Sequence, residues 1–108
     1  MTGAAMYKTF RALGDPTREQ IIDWLAAGES VTATEVATRL PITRQAVTRH
    51  LATLTEGGLI IGTRHGREFR YTLIPEQIEQ AANWLRRRST SWDQALQRLA
   101  DHLDEDAP

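Results

Sequence analysis

Gln45, Thr48 and Arg49 sit three and four residues apart, a spacing that puts all three on one side of a helix with no acid among them. Amide and guanidinium groups form paired hydrogen bonds to base edges in the major groove of duplex DNA, each worth about 1–3 kcal/mol of discrimination. Gln45 suits adenine and Arg49 suits guanine, while Thr48 suits a thymine methyl or a phosphate. Thr43 and Arg44 fall at the start of the same helix, where free backbone amides favour a phosphate. A second basic group, Arg64, Arg67 and Arg70, flanks Gly66 and would meet the DNA backbone or the minor groove. Arg70 has competing partners in Glu68 and in the acidic tail, Asp104 to Pro108. His50 lies at the edge of the apolar side, where it either packs against a backbone group or contacts DNA.

These residues need elements to hold them. Thr43 can cap a helix through its hydroxyl oxygen, and Val47, Leu51 and Leu54 recur at helical spacing to give that helix a buried face. Gly57 is expected to end it in the left-handed conformation. Leu59 to Thr63 and Phe69 to Leu73 then read as strands, with His65-Gly66 as the turn pair. Upstream, Met6 to Leu13 reads as a short helix. Asp15 caps a second helix with Pro16 at its first position and Ile21, Ile22 and Leu25 as its buried stripe; Gly28 ends it. Thr32 and Glu35 have capping-box spacing and start a third helix, with Val36, Ala37 and Leu40 on its apolar side. Pro41 closes that helix. So short a turn before the Thr43 cap makes the third and fourth helices a helix-turn-helix over 32–56, with a hairpin wing over 59–73.

The C-terminal third has a seven-residue rhythm. Ile78, Leu85, Trp92 and Leu99 form one series; Ala82, Ser89, Leu96 and Leu103 form a second, offset by four. The phase survives Arg86 to Ser91, so the pattern predicts one long helix over 76–103. From Ile78 to Leu103 it would run about 39 Å, more than a small domain can cover. Its seam is therefore expected to bury against a second copy of the chain. The alternative is that Trp84, Leu85 and Trp92 fold back on their own domain.

The 108 residues fit a single domain, 1–108, that is mainly α with a small β-hairpin wing and a long C-terminal dimerisation helix. The chain has no cysteine, which excludes disulfides, thiolate metal sites and thiol redox sensing. Neither a signal peptide nor a membrane span is read from it, so a cytoplasmic location is expected, with no membrane partner. A net charge of −1 hides a strong division. Residues 1–38 carry −2 and residues 71–108 carry −3, whereas residues 39–70 hold six arginines against Glu56 and Glu68, a net +4. Positive charge is concentrated in the segment whose side chains suit phosphates and bases.

The run Ala46-Val47-Thr48-Arg49-His50-Leu51, then Leu54, Gly58-Leu59-Ile60, Gly66-Arg67 and Tyr71-Thr72-Leu73, resembles the second half of a winged helix-turn-helix domain of the ArsR/SmtB family of bacterial repressors. Phe10 to Arg18 is similar to that family's entry into its second helix, so the likeness runs from about Phe10 to Leu73. The resemblance implies a homodimer joined through terminal helices, with Phe10, Ile78, Leu85, Trp92, Leu96, Leu99 and Leu103 at the interface. It also favours a DNA contact for His50. Family sensors often carry metal ligands on the third helix, and Glu35 to Leu40 offers no such pair here. Others bind zinc through an Asp-x-His pair and a His-x-x-Glu pair. His102 and Glu105 match the second, but Ser89 and Ser91 stand where the first would fall, so no metal and no cofactor are expected.

The reading that results is a homodimeric, sequence-specific DNA-binding transcriptional repressor whose partner is double-stranded operator DNA. A sensor whose metal or small molecule sits at the C-terminal helices is the alternative, as is a winged-helix module that binds protein. No Gly-rich phosphate loop or nucleophile elbow is present, and the histidines at 50, 65 and 102 are scattered, so catalysis is not expected. The effector is not legible in the sequence.

Overall fold

The computed structural model describes residues 3–105 and runs α1 (Gly3–Leu13), α2 (Pro16–Ala26), α3 (Ala33–Arg39), α4 (Arg44–Glu56), β1 (Ile60–His65), β2 (Glu68–Leu73) and α5 (Pro75–Glu105). The expected capping chemistry starts the helices. Asp15 accepts from the Arg18 amide with Pro16 at the first position of α2. Thr32 and Glu35 close a reciprocal box on α3, and Thr43 accepts from the Ala46 amide of α4 at 3.1 Å. Leu40, ahead of Pro41, is extended, which stops α3 at Arg39 and turns the chain into α4 within four residues.

One core holds these pieces together. Ile21, Ile22 and Leu25 of α2, Val36 of α3, and Val47, Leu51 and Leu54 of α4 are buried with Ala12, Val31, Leu59 and Ile60. Burying each large aliphatic side chain contributes about 1.5–3 kcal/mol, so α4 is anchored by its apolar stripe while its polar face stays outside. The β1–β2 hairpin is antiparallel, with Ile60 opposite Leu73 and His65 opposite Glu68. Val31 pairs with Tyr71 through both backbone bonds, 3.2 and 2.8 Å, which ties the wing to the α2–α3 connection.

Two local expectations are corrected. Gly57 has φ −74°, and the left-handed residue after α4 is Gly58 at φ +74°. Gly57 is needed for closeness instead: a Cβ there would lie 3.0 Å from the Ala12 Cβ and 3.1 Å from the Lys8 carbonyl oxygen of α1. The turn pair is Gly66-Arg67, since the strands extend to His65 and Glu68; Gly66, at φ +64°, takes the first turn position that demands glycine. Gly57→Ala should therefore cost about 1–3 kcal/mol by forcing α1 off α4. Gly58→Ala should cost about 1–2 kcal/mol through the backbone alone. Urea unfolding of the two variants checks both values, and a neutral Gly57→Ala would contradict the close-approach reading.

The heptad helix is continuous. α5 is a single 31-residue helix that passes through Ser89 to Ser91 without a break and is helical to Glu105; residues 106–108 of the acidic tail lie outside the described residues. Its first turns pack on the body, with Ala81 buried and Ile78 against the core. A buried polar tie assists them: Gln77 donates to the Thr9 hydroxyl, which donates to the Gly57 carbonyl, each at 2.7 Å. Trp84 folds back onto Phe10 of α1, ring centroids 5.2 Å apart, with the Arg88 guanidinium over the Trp84 ring, 3.9 Å from its centroid. Beyond that point the helix leaves the body, and the molecule measures 73 × 27 × 24 Å. Leu85, Trp92, Leu96, Leu99 and Leu103 are 53–69% exposed. No helix among the described residues is long and apolar enough to cross a membrane.

Candidate nucleic-acid interface

α4 presents the expected polar face. Arg44, Gln45, Thr48 and Arg49 are all exposed and line one open concavity. Thr48 donates its hydroxyl proton to the Arg44 carbonyl at 3.0 Å, which leaves its oxygen as an acceptor and its methyl for an apolar contact. Thr43 is exposed and already accepts from the helix amide it caps.

A second concavity runs from the start of α4 to the wing, lined by Arg44, Arg67, Glu68, Phe69, Tyr71 and the Thr32–Thr34 start of α3. Arg44 belongs to both, so the helix face and the wing form one surface. The sequence reading overlooked two of its residues. Thr34 is exposed at the entrance to α3; the signal for it was its place two residues beyond the Thr32 cap. Phe69 lies across Gly62, where any Cβ would collide with its ring, and meets Tyr71 edge-on at 5.3 Å. That packing fixes how the wing carries Arg64 and Arg67, and nothing in the spacing announced it.

The six arginines of the basic segment divide four and two. Arg39 pairs with Glu29 at 2.7 Å and stacks on Trp24. Arg70 donates to the Ser30 carbonyl (3.1 Å), Glu35 (2.8 Å) and Glu68 (3.1 Å), so the wing strand is pinned to the start of α3. The Glu35 carboxylate raises the Arg70 pKa further above its ordinary value. Arg44, Arg49, Arg64 and Arg67 are exposed and carry no ion pair or hydrogen bond from their side chains among the described residues. Arg44, Arg49 and Arg67 line the two joined concavities, and free guanidinium groups on one surface are what phosphates and guanine edges require.

His50 sits apart from this surface. Its ring is half-buried, with Nδ1 3.1 Å from an Arg18 guanidinium nitrogen and 4.0 Å from Asp15. The Asp15 carboxyl is held below its ordinary value, first by the Arg18 backbone amide and then by the nearby Arg18 guanidinium charge. Its stabilising effect is therefore present at neutral pH and is lost as pH falls through the depressed folded value, below about pH 4. Asp15→Asn, which keeps a capping oxygen, should flatten the acid limb of a stability–pH curve; an unchanged limb would contradict the assignment.

Among the described residues no three His, Cys, Asp or Glu side chains gather into a group that could hold a metal ion. Residues 13–63 match the helix-turn-helix domain family. The chain is 31% identical over 80 residues to the transcriptional repressor SdpR of Bacillus subtilis, covering 74% of this chain and 88% of that one. It is 36% identical over 81 residues to the HTH-type transcriptional regulator CmtR of Mycobacterium tuberculosis, covering 75% and 68%. Among solved structures, an ArsR-like transcriptional regulator from Rhodococcus sp. RHA1 superimposes with a TM-score of 0.81 at 35% identity, covering 91% of this chain and 92% of that one.

Proposed function

The chain belongs to the ArsR family of winged helix-turn-helix transcriptional regulators, and on that premise we propose that it is a homodimeric, sequence-specific repressor that works by occupying promoter DNA. The observation that carries this reading is the single surface on which α4 offers Gln45, Thr48 and Arg49 beside Arg44 and Arg67, two more arginines unpaired among the described residues. In this reading α4 enters the major groove, with Arg49 on guanine and Gln45 on adenine. Thr43, Arg44 and Thr34 hold the phosphates at its entrance, while Arg64 and Arg67 take the backbone or minor groove beyond. Arg70 acts as the brace that fixes the wing to α3, since its donors are already engaged within the chain.

Dimerisation is the second half of the proposal. A seam of five apolar side chains, each more than half exposed on one continuous helix, is support for a partner that covers it. A second copy of the chain does so with the same seam and sets two recognition helices for half-sites about one helical turn, roughly 34 Å, apart. Phe10 and Ile78 contribute by holding α5 to the body, as their contacts within the chain favour. The setting is the bacterial cytoplasm, where operator DNA is found. Selection from a pool of random duplexes tests the proposal. The expected product is a near-palindromic pair of half-sites, and a pool that stays unenriched would overturn it.

A further inference from the structure

We propose that Arg18 and His50 form a strut that sets the angle of the recognition helix, so that His50 acts on DNA affinity through the placement of α4 and not by touching DNA. This rests on the reading of α4 as the DNA-reading helix. Arg18 of α2 uses every part of its guanidinium. Nε donates to the Ala12 carbonyl at 2.7 Å, one terminal nitrogen donates to the Arg11 carbonyl at 3.2 Å, and the other meets His50 Nδ1 at 3.1 Å. The two carbonyls are among the last four of α1, which have no partner inside their own helix, and a cation there also complements the helix dipole. Its backbone amide is held by Asp15 at 3.1 Å. One side chain thus joins the end of α1, the start of α2 and the middle of α4.

Chemistry fixes the protonation of the histidine. A guanidinium only donates and does not give up its proton in a protein, so Nδ1 must accept, and the ring proton is on Nε2. Geometry separates the ring from the bases. At about 100° of rotation per residue, His50 points well away from Arg49 and toward α2, and it is absent from the concavity that Arg44, Gln45, Thr48 and Arg49 line. The apolar stripe of Val47, Leu51 and Leu54 anchors α4 on the core but supplies no directional bond, because hydrophobic burial is non-directional. A charged, directional hydrogen bond beside that stripe constrains the helix's rotation strongly.

The test is a double-mutant cycle on affinity for the selected operator, using the intact protein. Arg18→Ala and His50→Ala should each weaken binding on the order of tenfold, and the double variant should be no weaker than the weaker single variant. Additive losses would overturn the strut. Two milder variants separate positioning from contact even where alanine unfolds the chain. His50→Asn places a carbonyl oxygen near the Nδ1 position and should restore binding. His50→Gln places its amide near the outer Nε2 position and should not. Rescue by Gln and not Asn would make His50 a direct contact and sink the proposal. Nitrogen NMR of the free protein gives a readout independent of DNA: His50 should show a bare Nδ1 and a protonated Nε2, and the opposite tautomer contradicts it. A wild-type chain without any sequence preference would instead overturn the repressor reading, with the NMR result still deciding whether the Arg18–His50 bond is made.

Discussion

Arg49→Ala is expected to leave the protein folded and dimeric while cutting its preference for operator over scrambled duplex by about 5- to 150-fold, the 1–3 kcal/mol that a paired contact to guanine contributes. The side chain is exposed and has no partner among the described residues, so its removal exposes no buried group and leaves no described charge uncompensated. The loss should appear at one base position in each half-site. Arg67→Ala makes the contrast. It removes a wing cation proposed to meet phosphate, so both duplexes should weaken together and the salt dependence should flatten by roughly one unit of slope. Measuring each variant against both duplexes at several salt concentrations separates the two roles. If Arg49→Ala weakened operator and scrambled DNA equally, the assignment of α4 to base reading would fail.

Leu96→Asp is expected to have a still larger effect on binding, and an opposite signature on assembly. Leu96 is 59% exposed within the chain, so the substitution touches no packed core of one protomer, and the thermal stability of the isolated fold should hardly change. In a dimer built on the α5 seam it places two carboxylates in an apolar interface, where unpaired charge is strongly unfavourable. Light scattering should show a dimer for the natural chain and a monomer for the variant at micromolar concentration. Operator affinity should fall by more than about 100-fold, because the second recognition helix no longer binds at the high effective concentration that its linkage supplies. A variant that stays dimeric would place the interface elsewhere.

The architecture was legible because its punctuation is local. Asp15-Pro16, Thr32 with Glu35, Pro41 and Thr43 each set a helix boundary through a bond or clash within a few residues, and the structure has those boundaries within one or two positions. The heptad rhythm foretold an uninterrupted α5 for the same reason. What escaped depends on partners far away in sequence. Gly57 and Gly58 exchange roles because α1, some 48 residues earlier, presses on one of them. Arg70 reaches Glu35 and Ser30, and His50 meets Arg18; neither pairing has any spacing to betray it. The two readings of the α5 aromatics divide within one helix: Trp84 folds back onto Phe10, whereas Trp92 stays in the open. The candidate surface was foreseen in composition but not in selection. The sequence shows six arginines in one segment, and only the fold shows which four are free.

The role proposed for this surface is to read sequence and not merely to attract phosphate. The most direct test is titration of labelled DNA from the region upstream of the protein's own coding sequence, against a scrambled duplex of equal length and composition, at several salt concentrations. The natural duplex is expected to be preferred, and the preference to persist as salt rises, because base contacts carry no counterion release while phosphate contacts do. Equal affinity for the two duplexes at every salt concentration would contradict it.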